Sequence, residues 1–163
     1  MNPDLKALYR RIEGRYLDDA EANQLQEFAE GTVARLAVAA AIENAEKQIL
    51  DDVVAKVMSG FPLIPKDHGG DAEQRVRRDQ MMVLRYATHA MVAFEPSYIY
   101  DKLSVWLKTI LVALVPPEYV MLGYNALLEA CEKHLSTGDY AALLPYLKVH
   151  INEFGSAMGG RAS

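Results

Sequence analysis

From Arg75 to Ala93 the chain reads RVRRDQMMVLRYATHAMVA, without a glycine or a proline. Val76, Val83, Tyr86 (or Ala87) and Ala90 recur at helical spacing, with Met82 and Arg85 beside that stripe. A helix that is charged in its first turn and apolar on nearly all sides afterwards belongs inside a bundle of helices. Its start, with Arg75, Arg77, Arg78 and Asp79, then stands at the rim of whatever cavity the bundle holds.

The remainder of the chain supplies partners for such a helix. Asn2 and Pro3 predict a cap and a first helical residue, in a helix that runs to about Ile12 and ends near Gly14. Asp18 and Asp19 predict the start of a second segment, which either ends at Gly31 or runs on. Thr32 to Met58 reads as a long helix that bends or restarts near Asn44. Its small residues Ala37 to Ala41 suggest a rod that other helices approach closely. Ser59 to Gly70, SGFPLIPKDHGG, is the clearest break. Further helices are expected over 98–114, from Glu118 to Leu135 and from Asp139 to Phe154, with Pro145 kinking the last one or opening its second half. No strand pattern and no internal repeat stand out, so the class is all-α. The expected division is one domain over 1–155, made of a helical hairpin (1–30) and a core (32–155), followed by a disordered tail (156–163).

Several function classes are disfavoured. The net charge is -5, and the basic residues are dispersed apart from the Arg75, Arg77, Arg78 cluster, which argues against nucleic acid as a partner. No apolar run is long enough to span a bilayer, and the first residues lack a signal-peptide core, so a cytoplasmic protein that avoids membranes is expected. The single cysteine, Cys131, suits a reducing compartment. There is no CxxC, HExxH or GxGxxG, and no nucleophile–base set, so an enzyme is not expected.

Arg78-Asp79, then Leu84-Arg85-Tyr86-Ala87-Thr88, Ala90-Met91 and Pro96-Ser97, resemble the bilin-bearing helix of phycobiliproteins, nearest to the allophycocyanin β type. Gly14-Arg15-Tyr16-Leu17-Asp18, Ala55-Lys56 and Val115-Pro116 match the same family in order. The resemblance implies a globin-like (phycobiliprotein-like) bundle with an N-terminal two-helix extension that makes a dimer contact. It also implies a site in which Asp79 faces the pyrrole nitrogens of a linear tetrapyrrole and Arg78 a propionate. Arg75, Arg77 and Met82 complete the candidate set. The chemistry is consistent, because such a ligand needs cations for its carboxylates, an acceptor for its N–H groups and an apolar slot. A plain alternative is a solvated helix start with local ion pairs.

The departures from the family are specific. Its attachment cysteine, three residues before the Asp, is Val76 here, and Met82 and Val83 stand at two aromatic positions. The loop before Arg78 is about five residues shorter than the family's by the same resemblance. A relative without the cysteine resembles the bilin biosynthesis-associated globins. The function this suggests is non-enzymatic and associated with bilin metabolism, with biliverdin or a phycobilin bound noncovalently and bilin biosynthetic enzymes as possible partners. The rival readings are an interaction module with a collapsed pocket and no cofactor, or a haem-binding sensor that uses His89.

Arg85 points, by resemblance, to a homodimer interface together with Tyr16, Glu13 and Asp18. The acidic residue it would meet is replaced by Arg11, so Glu13, Asp18 or Asp19 would take over. An intramolecular ion pair serves Arg85 equally well. Met81, Met82, Met91 and Tyr86 suit core packing better than a cofactor wall.

Overall fold

The computed structural model describes residues 2–60 and 72–159. Residues 61–71, which hold most of the expected break and His68, and residues 160–163 lie outside them. The described residues form helices and turns only.

Helix α1 (Pro3–Arg11) starts as its sequence dictates: the Asn2 side chain accepts from the amides of Asp4 and Leu5, and proline takes the first turn. Gly14 adopts a positive φ of 81° in the connection that follows, a conformation glycine enters without steric cost. Asp18 then caps α2 (Asp19–Gly60) reciprocally. Its carboxylate accepts from the Glu21 amide at 2.8 Å, and Glu21 accepts from the Asp18 amide at 3.2 Å.

Helix α2 is continuous over 42 residues. It runs on through Gly31 and has no restart at Asn44, so the stretch expected as an N-terminal hairpin consists of α1 and the start of α2. The Ala-rich stretch is only partly used in packing: Val38 and Ala39 lie half-buried against the core and Ala37 and Ala40 are exposed, whereas Ile42, Ala45, Ile49, Val53 and Val57 enter the core. Small residues are more deeply buried at Ala87 and Ala90 of α3 (Ala72–Val92) and at Ala126 and Ala130 of α6 (Pro117–His134).

Helix α2 packs against both α3 and α6, and ion pairs line both contacts. Glu46 meets Arg85 and Asp51 meets Arg77 on the α3 side; Asp52 meets Lys133 and His134, and Lys56 meets Glu129, on the α6 side. Such half-exposed pairs are screened by solvent and add little to stability.

The segment expected as one helix over 98–114 contains an irregularity. A single turn, α4 (Ser97–Ile99), passes into a π-helical turn (Tyr100–Ser104) before α5 (Val105–Leu114). Pro116 and Pro117 then open α6, and Ser136 caps α7 (Thr137–Gly159) through the amide of Asp139. Helix α7 continues through Pro145 and reaches Gly159, inside the stretch expected to be a loose tail. Helices α3, α6 and α7 pack on one another around Leu84, Met91, Leu127, Leu143, Leu147 and Phe154, all at most 1% exposed. No helix among the described residues is long and apolar enough to cross a membrane.

Candidate functional site

The periodicity of α3 sorts the expected site residues onto different faces. Arg75, Asp79, Met82 and Tyr86 fall on one stripe, with Arg78 beside it. Asp79 is about a quarter exposed and pairs with Arg78, whose nitrogens lie 3.1 and 3.2 Å from Oδ1. The Arg78 guanidinium is mostly exposed and can reach a ligand for the loss of a weak local pair. Met82, Tyr86 and Tyr98 are half-buried against the core, and the Tyr86 and Tyr98 rings stack with centroids 6.2 Å apart. An acid, an exposed guanidinium and an apolar wall thus share one side of α3.

Arg77 does not join them. Two residues from Asp79 is about 200° around a helix, and there its guanidinium meets Asp51 of α2 at 2.7 Å. It borders a shallow groove of about 300 Å³ between α2 and α3, lined also by Val54, Ala55, Met58 and Glu73. Arg77 therefore belongs to the α2–α3 seam.

Gln80 is the residue that the sequence reading passed over. It falls on the apolar stripe of Val76, Val83 and Ala87, is 8% exposed, and its Oε1 is enclosed without a hydrogen-bond donor. Its amide group lies over Gly123 of α6, where a Cβ would sit 2.8 Å from Nε2. The absence of a side chain at Gly123 therefore makes room for this carboxamide.

A second polar feature lies deeper. His150 of α7 is fully buried; its Nδ1 is 2.8 Å from Ser104 Oγ and its Nε2 is 3.0 Å from the Tyr124 hydroxyl. Ser104 also reaches the Ile99 carbonyl at 3.3 Å, at the π-helical turn. One tautomer satisfies every proton. Tyr124 donates to Nε2, Nδ1–H donates to Ser104, and Ser104 donates to Ile99. The other tautomer would strand the Tyr124 proton. Burial holds the imidazole neutral, with its pKa lowered to about 4, and raises that of the Tyr124 phenol, helped by the Asp79 charge.

Cys131 is fully buried on α6, and burial pushes its thiol up to about 12. Its thiol is expected to react with an aromatic disulfide at least about 100-fold more slowly in the native protein than in denaturant. Equal rates, followed by thiol absorbance, would show that α6 opens readily.

The expected interface residues lie apart from this face. Tyr16 is 96% exposed on a connection held by Arg15, whose guanidinium grips Glu21 at 2.6 and 2.9 Å. Glu13 is exposed and Asp18 serves as the α2 cap. Arg85 makes a bidentate pair with Glu46 of its own chain, at 2.6 and 2.8 Å, although more than half of its side chain remains exposed. His89 is exposed at the edge of α3, edge-on to Tyr86, and His134 binds Asp52. No cluster of three or more His, Cys, Asp or Glu side chains among the described residues could hold a metal ion.

No curated protein matches the sequence. A family model described as phycobilisome protein matches residues 12–154, which takes in the connection before α2, the α3 site face and the core as far as Phe154. Together with the all-α bundle built around α3, this match means that the chain belongs to the phycobilisome protein family.

Proposed function

We propose that this protein binds a linear tetrapyrrole noncovalently as a non-enzymatic accessory to bilin metabolism. The observation that carries this is the shared stripe on α3: Asp79 and Arg78 together, above the apolar wall of Met82, Tyr86 and Tyr98. Asp79 would accept from ring N–H groups, Arg78 and Arg75 would attract propionates, and the aromatic pair would cover the flat face of the ligand. A thioether is not available. Val76 occupies the attachment position, and Cys131 lies buried on α6.

The test is absorbance of the protein co-expressed with enzymes that make biliverdin or phycobilins. A narrowed, red-shifted band that denaturation and solvent extraction remove is the expected result. Asp79→Ala should weaken binding at least about tenfold, the equivalent of about 1.4 kcal/mol, and shift the band. An unchanged spectrum in that variant would remove Asp79 from the site. A band that survives denaturation would contradict the noncovalent bond, and a band with haem alone would favour the His89 reading.

The same reading includes a homodimer through the N-terminal helices. Tyr9, Tyr16, Val33 and Leu36 are at least half exposed, and Val33, Leu36, Ala37 and Ala40 recur at helical spacing along the free side of α2. Exposed apolar side chains of this kind support a contact here. Deleting residues 1–30 is expected to leave a monomer in sedimentation. A dimer that persisted would remove α1 and the start of α2 from the contact and leave the exposed face of Val33 and Leu36 as its place.

A further inference from the structure

Gln80 is poorly served by the ligand-free packing. A side chain 8% exposed, with its carbonyl oxygen enclosed and unpartnered, costs stability that an aliphatic residue of the same length would not. Gly123 gives the carboxamide its room, so the pair forms a local arrangement that apolar packing alone would not select.

The neighbour in sequence is Asp79, the acceptor of the proposed site, and successive residues on a helix lie about 100° apart. A linear tetrapyrrole carries N–H groups on its inner pyrrole rings and on its outer lactam rings. One carboxylate cannot accept from all of them. We infer that Gln80 is a second acceptor for the ligand held at Asp79, its carboxamide leaving the Gly123 contact to accept a ring or lactam N–H when a tetrapyrrole binds. This rests on the tetrapyrrole reading of the α3 face. It makes Gln80 a specificity residue, since a ligand without the extra N–H would leave the oxygen as unmatched as it is now.

The experiment pairs a readout on the free protein with one on the complex. Gln80→Leu and Gln80→Met are purified without pigment, melted, and titrated with biliverdin beside the wild-type chain and Asp79→Ala. The expected result is a Tm raised by about 4 °C in the free variants, with biliverdin affinity lowered at least about tenfold. Unchanged affinity in both variants, with Asp79→Ala impaired, would overturn the role of Gln80 and leave the site standing. A lowered Tm would also overturn it, because the carboxamide would then be satisfied in the free protein. Absence of biliverdin binding by the wild-type chain would remove the tetrapyrrole reading, and this inference with it.

Discussion

Replacing His150 by alanine is expected to destabilise the protein by about 3–5 kcal/mol at neutral pH, from a cavity plus two stranded hydroxyls. His150, Ser104 and Tyr124 are each at most 1% exposed, so water cannot replace the lost partner cheaply. The wild-type chain should also carry a specific acid sensitivity. The imidazole has a pKa of about 4 in the folded state against an ordinary 6.5. Between those values the unfolded chain binds a proton that the folded chain refuses, so stability falls as pH drops through 6.5 and levels off near 4. The difference amounts to about 3 kcal/mol by linkage. His150→Gln removes this titration while filling most of the space. Urea unfolding at pH 7 and at pH 4.5 should show a larger loss for the wild-type chain than for His150→Gln. Equal losses would mean that carboxylates alone drive the acid response. Tyr124→Phe, which removes one hydroxyl and keeps the ring packed on His150 and Phe154, should cost only about 1–2 kcal/mol.

The network also shows what a one-dimensional pattern conceals. His150 reads as an ordinary residue of an amphipathic helix, and its partners lie 46 and 26 positions away. Arg85 is similar: a lone cation in an apolar run demands a partner, but nothing local names Glu46, which comes from 39 residues upstream. By contrast, features set within a turn or two were legible. The Asn2 cap, the turn at Gly14 and the α2 start at Asp18 all follow from local backbone chemistry. The α3 site face was half legible. Spacing unites Arg75, Asp79 and Met82, and the same spacing sends Arg77 to the opposite side, where Asp51 receives it. Gln80 could have been found by asking why a carboxamide interrupts the stripe of Val76, Val83 and Ala87. The π-helical turn at Tyr100–Ser104 had no local signal, since it is tied to a hydroxyl that bonds both the Ile99 carbonyl and a histidine on α7.

Alanine content was only half informative, and the contrast gives the second large effect. A run of small residues permits close helix contact but does not require it. In α2 the run at Ala37 to Ala41 includes exposed positions, whereas Ala87 of α3 is fully buried in the core. Ala87→Leu therefore has no space for its added carbons and must push α3 away from its neighbours. Overpacking of this kind costs about 1–3 kcal/mol, and more where several helices meet. Ala40→Leu adds the same atoms to an exposed helical position, where changes stay within about 0.5 kcal/mol. Urea unfolding of the two variants should separate them by at least about 2 kcal/mol. If Ala40→Leu proved as costly as Ala87→Leu, the Ala-rich face of α2 would be packed in solution. Repeating the measurement at several protein concentrations then identifies what covers it, because a loss that grows with concentration belongs to contact between copies of the chain.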